Sequence, residues 1–279
     1  RDRIYLAHAA ISDIQGGRHL QAEKMARPVL DLAGTRTNAA EVVIRLQGWQ
    51  VVISPRGHRL LADNDEFRLD LELQAVKPPA LHGEQGYSRK GRSSERASCY
   101  YSFTRLEAAG TIAIDGTRRE VTGTAWMDHE FSSAPLEPGI TGWDWFSLQL
   151  SDQTELMLYL LRDQDGGVNP ASSGSYVLPT GQVAHLGQAD VRVAPLSYWT
   201  SPHTGARYPI AWRVTIKSLG LNLAVTANLA DQEMRTPNST QVTYWEGSVN
   251  VRGAKGEQSI EGVGYVELTG YAQPFDAPM

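Results

Sequence analysis

A single cysteine, Cys99, stands among 279 residues. That excludes an intrachain disulfide and a thiolate metal cage, and it reads as a small buried strand residue. Basic residues never cluster beyond pairs such as Arg118 and Arg119, and the formal net charge is −5. The positive stripe that a nucleic acid requires is therefore missing. No apolar run approaches the ~20 residues of a membrane-spanning helix. Helical periodicity is absent over any useful length. His8, His19, His58, His82, His185 and His203 show no HxH or HxxxH spacing, no GxSxG occurs, and no GxGxxG or phosphate loop follows a strand. Metal, nucleotide and serine-nucleophile chemistry find no support, and neither a metal nor a cofactor is expected.

Strand signals fill the chain instead. Apolar residues make up 41% and charged residues 20%, the composition of a chain that folds throughout. Short alternating runs such as "EVVIRLQGWQVVIS", "EFRLDLELQAV", "TELMLYLLRD", "YPIAWRVTIKS" and "LNLAVTANL" are separated by Gly, Pro, Asn and Asp, as in a sandwich or barrel. Asp115-Gly116 marks a hairpin turn. The Pro- and Gly-containing segment 132–142 reads as a junction between two halves, placing domains at 1–137 and 138–279. Residues 78–97, polar and long for a hairpin loop, read as a flap or rim segment. No Met precedes "RDRIYLAHAAISD", which alternates from its start. An upstream segment carrying any signal peptide is expected.

The chemistry concentrates in "TGTAWMDHEFSS", residues 122–133. Alternation puts Trp126, Asp128 and Glu130 on one face and Ala125, Met127, His129 and Phe131 on the other. The pattern recurs in "GWDWFSLQL", where Trp143, Trp145 and Ser147 share a face. It recurs again in "YWEGSVNV", where Tyr244 and Glu246 share a face and Trp245 points away, and in "GYVELTGY", where Tyr265, Glu267, Thr269 and Tyr271 alternate with Val266 and Leu268. Carboxylates thus sit beside Trp or Tyr in four separated strands. Buried charge is costly unless paired or protonated, so these groups either satisfy one another in a structural network or serve a site in which a desolvated carboxyl donates a proton.

Taken together, "YYSFTRLEAAGTI", "VTGTAWMDHEFSS", "GWDWFSLQLSDQTELMLYLLRDQDG", "YWTSPHTGARYPIAWRV", "YWEGSVNVRG" and "GYVELTGY" resemble the AttH and carotenoid 1,2-hydratase family, in order and over nearly the full chain. The resemblance implies an all-β fold of two tandem lipocalin-like antiparallel β-barrels, the first of which lacks its opening strands if nothing precedes Arg1. It also implies cofactor-independent addition of water to, or rearrangement of, an alkene in a hydrophobic isoprenoid or polyene. Members carry Trp where this chain has Phe131, which alters pocket width.

On this basis the catalytic candidates are Asp128 as acid, Glu130 or Glu246 as base, and His129 as an alternative acid or network residue. Trp126, Trp143, Trp145, Tyr244, Trp245, Tyr265 and Glu267 are the candidate substrate-binding residues, their rings offering cation–π faces. The expected partner is a hydrophobic small molecule, with no nucleic acid and no transmembrane segment, and with peripheral membrane contact compatible with such a ligand. The family's frequent export places the protein in the periplasm or outside the cell. The rival reading is a non-enzymatic carrier that holds a hydrophobic ligand in a barrel mouth.

Overall fold

The computed structural model describes residues 3–55, 57–93, 95–132 and 136–275. Residues 133–135, part of the expected junction, lie outside that set. The fold is all-β and lipocalin-like. Among the described residues the helical segments are two three-residue 3-10 turns, Gln188–Asp190 and Lys217–Leu219, and no helix is long and apolar enough to cross a membrane.

Contacts divide the chain into two compact units. The first comprises Arg1–Val76, Arg105–Ala125 and Thr236–Gln241, and the second Lys77–Thr104, Trp126–Arg235 and Val242–Met279. The division expected from sequence, between 137 and 138, falls inside the second of these.

In the first unit, Tyr5–Asp13 pairs along its whole length with Arg18–Ala26. The strands Ala33–Thr37, Val42–Leu46, Trp49–Ser54, Gly57–Asp63 and Phe67–Ala75 then form an antiparallel meander. It continues into residues 105–114 of the long strand Ala97–Ile114, and then into residues 117–125 of the strand Thr117–Phe131, whose remaining residues belong to the second unit. The run "EVVIRLQGWQVVIS" is two strands, because Gln47 and Gly48 both take positive φ, 48° and 89°. Asp115 and Gly116 do the same at 49° and 77°. Two consecutive positive φ values are the mark of the type I′ turn, whose twist matches the flanking strands. Trp49, Phe67 and Val43 are buried in this unit.

The second unit contains a sheet centred on Ile140–Leu150. On one side of it run Glu155–Asp163, Ser173–Val177 and Val183–Gly187. On the other run Gln258–Thr269, Thr243–Lys255, Leu221–Ala227, Arg207–Ile216 and Val191–Thr200. The two edge strands, Val183–Gly187 and Val191–Thr200, are joined only by the turn Gln188–Asp190. A link of three residues spans little more than ~10 Å, so the sheet must curl until its edges approach each other. One face packs the core, with Phe146, Leu148, Leu158, Trp212, Trp245 and Val266 fully buried. Alternation sends Trp143, Trp145, Glu246 and Glu267 to the other face.

Cys99 is exposed rather than buried. It alternates with the buried Ser98 and Tyr100, so parity in the strand, and not its small apolar character, decides its position.

Candidate active site

The polar face of the second unit is a ladder of matched residues. Trp145 lies opposite Tyr159 on one neighbouring strand and Glu267 on the other, and Glu267 lies opposite Glu246. Trp145, Tyr159 and Glu267 of this row border a cleft of about 940 Å³, lined also by Tyr100, Asp128, Glu130 and Trp143. Asp128 and Glu130 reach it from the final residues of Thr117–Phe131, two positions apart and on the same face.

Asp128 is the most densely hydrogen-bonded group in the cleft. Tyr100 Oη donates to its Oδ2 at 3.0 Å, Trp126 Nε1 donates to Oδ1 at 2.7 Å, and Ser102 Oγ donates to Oδ1. Trp145 Nε1 in turn donates to Tyr100 Oη at 3.0 Å and fixes the phenol. Protein crowds the carboxyl except where the residue keeps exposed area beside the cleft. Burial raises its pKa. The Ser102, Trp126 and Tyr100 donors favour the charged form, and the Glu130 charge adds to the upward shift. A ligand filling the cleft would remove the remaining water and push the carboxyl further toward its neutral, proton-donating form.

Behind Ser102 lies a histidine. His82 is fully buried, with Nε2 2.7 Å from Ser102 Oγ and Nδ1 2.8 Å from Ser175 Oγ. Its ring lies 4.3 Å from that of Tyr100. Burial first, and the Lys90 charge second, hold its pKa down at about 3. His82 is therefore neutral at ordinary pH.

Glu130 differs from Asp128 in having a cation. Lys90 Nζ lies 2.7 Å from its Oε1, and Ser98 Oγ donates to the same oxygen. The Lys90 side chain is buried, over the Tyr159 ring at 3.8 Å and near the Tyr100 ring at 5.0 Å. Burial lowers its pKa against the pull of Glu130 and Asp128. The pairing gives Glu130 a direct cationic partner at the edge of the cleft.

Glu246 and Glu267 behave as a pair. Burial, then repulsion from Glu267, raises Glu246 to about 8. Glu267 is also raised by burial, but Trp143 Nε1 at 2.9 Å and Thr269 Oγ1 at 3.0 Å both donate to its Oε1. Those donors assign the charge to Glu267 and the shared proton to Glu246. A folded-state pKa above the unfolded value near 4.5 means that stability is retained below pH 4.5 and lost as pH rises toward 8. Glu246→Gln removes that loss. The variant is expected to match the native chain near pH 4 and to exceed it by ~4 kcal/mol at pH 8, read as the pH dependence of denaturant midpoints. A gap independent of pH would contradict the assignment.

The structure brings together five of the residues expected from sequence, Asp128, Glu130, Trp143, Trp145 and Glu267. Trp126 joins them through Asp128. Glu246 and Tyr265 adjoin Glu267, whose charge acts on both. A Glu246 that carries the proton at neutral pH is not the base proposed for it. Tyr244 lies across the ladder from Thr269 and Met234 and does not line the cleft.

Two residues sit elsewhere. Trp245 is fully buried in the core on the opposite face, its indole N–H donating to Ala230 O at 2.8 Å. His129 takes the opposite parity from Asp128 and stacks on Tyr101 at 5.1 Å, with Tyr101 Oη 3.2 Å from its Nδ1. Sequence reasoning passed over Tyr100, Ser102, His82, Lys90 and Tyr159. The available signal was in "YYSFT", where Tyr100 and Ser102 repeat the i, i+2 spacing of Trp126 and Asp128.

The AttH-like family model matches residues 1–271. The crystal structure of an AttH protein from Nitrosomonas europaea superposes with a TM-score of 0.86 at 35% identity, covering 96% of this chain and 82% of that one. Kievitone hydratase from Nectria haematococca superposes at 0.73 with 15% identity, covering 96% and 80%. Among curated proteins, Dehydratase asqC from Emericella nidulans is 22% identical over 217 residues, which is 75% of this chain. The chain spans 60% of the length of that relative.

Proposed function

Because the chain belongs to the AttH-like family, whose residues here build an acid–base cleft, we propose that it is a hydratase-like enzyme. It adds water to, or removes it from, a carbon–carbon double bond of a hydrophobic small molecule, without a cofactor. The observation that carries this reading is the placement of two unlike carboxyls on one strand face. Asp128 accepts from three neutral donors and Glu130 is paired with Lys90, both within a cleft walled by Trp143 and Trp145. A carboxyl among neutral donors and one beside a cation have the unlike surroundings from which an acid and a base are made.

In the hydration direction, the Asp128 proton passes to one alkene carbon while the π pair forms the new C–H bond. Positive charge develops on the other carbon. The faces of Trp143 and Trp145 lower its energy, each by ~0.5–2 kcal/mol in a dry site, and ionised Glu267 adds electrostatic attraction. Water bonds to that carbon and gives its extra proton to Glu130. Return of a proton to Asp128 and loss of one from Glu130 restore the starting charges. Run backward, the same groups dehydrate a tertiary or allylic alcohol. The names of the curated dehydratase and the structurally similar hydratase agree with either direction.

Incubation with a panel of prenylated and polyene compounds in heavy-oxygen water, followed by mass spectrometry, tests this. Label in the product of at least one compound is expected. Recovery of every compound unchanged, with some bound to the protein, would replace the enzyme by a carrier.

A further inference from the structure

The buried His82 has no part in the steps just described, yet it is joined to Asp128 through an unbroken series of hydrogen bonds. Ser175 Oγ lies 2.8 Å from Nδ1, Nε2 lies 2.7 Å from Ser102 Oγ, and Ser102 Oγ bonds directly to Asp128 Oδ1. His82, Ser102 and Ser175 are all at or below 1% exposure, so water does not compete for these contacts. Three segments distant in sequence are needed to place them. A bland structural role would require only that each polar atom be satisfied once. Here every member between the ends is flanked by a group that can both give and take a proton.

We propose that Ser175, His82 and Ser102 form a proton relay that reloads Asp128 from the side away from the cleft. The proposal rests on the hydratase reading for its purpose, which is to resupply the acid while substrate fills the cleft. With Asp128 ionised, Ser102 donates to Oδ1, His82 Nε2–H donates to Ser102, and Ser175 donates to the bare Nδ1. With Asp128 protonated every bond reverses: the carboxyl donates to Ser102, Ser102 donates to the now bare Nε2, and Nδ1–H donates to Ser175. Passage between the two states moves one proton along each link. One enters at Ser175, one arrives at Asp128, and His82 changes tautomer without acquiring net charge. Its strongly suppressed basicity fits a carrier of this kind. A histidine that became imidazolium would trap the proton.

The outer end of the series lies beside a solvent-facing residue. Ser175 pairs across the ladder with His185, and such partners share a face at ~5 Å between Cβ atoms. His185 is exposed and lines a separate opening of about 590 Å³ with Tyr87, Arg89 and Glu84. The charged and titratable groups facing the relay are Lys90 and Tyr100 at His82, and Tyr100, Glu130, Lys90 and Glu267 at Asp128. His82 acts through Asp128, so it is a positioning and relay residue rather than one that touches substrate.

The test needs no substrate, so its failure is distinguishable from failure of the hydratase reading. Protein carrying 15N-histidine and 13C-labelled aspartate carboxyls is titrated by NMR, with His82 assigned through His82→Gln and Asp128 through Asp128→Asn. His82 is expected to remain neutral and to exchange Nε2–H for Nδ1–H at the same midpoint as the Asp128 carboxyl. Ser175→Ala, two links away, should move the Asp128 midpoint to lower pH, because the protonated state then lacks an acceptor for Nδ1–H. A tautomer that stays constant while Asp128 titrates would overturn the relay, as would an imidazolium forming over that range or an Asp128 midpoint indifferent to Ser175→Ala. The wild-type titration decides the matter even where a variant does not fold.

Discussion

Asp128→Asn should lower kcat by ~10³-fold while leaving substrate affinity within a few-fold, the range expected for loss of a positioned general acid. The size of the side chain is unchanged. An amide oxygen in the place of Oδ1 still accepts from Ser102 and Trp126, and the amide nitrogen in the place of Oδ2 faces Tyr100 Oη, which has a lone pair to offer. What disappears is a proton that can leave. A loss made only in the transition state lowers kcat and kcat/KM together, so steady-state kinetics separate this outcome from damage to the pocket. Glu130→Gln should cost less, ~10²-fold, because water retains other routes for its proton. Activity of the native enzyme should fall at high pH as Asp128, whose pKa burial raises, gives up its proton. Asp128→Asn at native rates would move the acid role elsewhere, with Glu246 the next group already protonated near neutral pH.

The legible part of this site was its parity. Period-two alternation places Asp128 with Glu130 and Trp143 with Trp145 from sequence alone, and the structure turns those faces toward one cleft. The same rule separates Trp245 from Glu246, so its assignment to the substrate surface came from residue type, against its own alternation. His129 has the opposite parity to Asp128, and that parity turns it onto Tyr101 rather than toward the cleft.

His82 was hidden for a different reason. Among the described residues of 78–97, the short strands Ala80–Leu81 and Tyr87–Arg89 pair with Ala97–Ile114. Two- and three-residue strands show no periodicity to read, and the prolines and glycines nearby read as a flap. Its hydrogen-bond partners are 20 and 93 residues away, so nothing local reports that it is buried. The Glu246–Glu267 pairing is likewise a matter of register, which alternation within each strand does not specify.

The second large effect is on stability and lies at the opposite end of the same polar face. Lys77→Met should destabilise the protein by ~3–5 kcal/mol at neutral pH, the cost of leaving a buried charge without its counterion. Lys77 Nζ sits 2.9 and 2.8 Å from the two oxygens of Glu155 and 3.2 Å from Leu178 O. The side chains are 6% and 0% exposed. Thr104 Oγ1 also donates to Glu155 at 3.2 Å. The double variant Lys77→Met/Glu155→Met should recover much of the loss, because two well-packed apolar chains need no compensation. Part of it should remain, since Leu178 O and the Thr104 hydroxyl lose their partner. Denaturant melts of the four proteins in a double-mutant cycle measure this directly. Additive single effects would mean that water reaches Glu155 and that the pair contributes only what a surface bridge does.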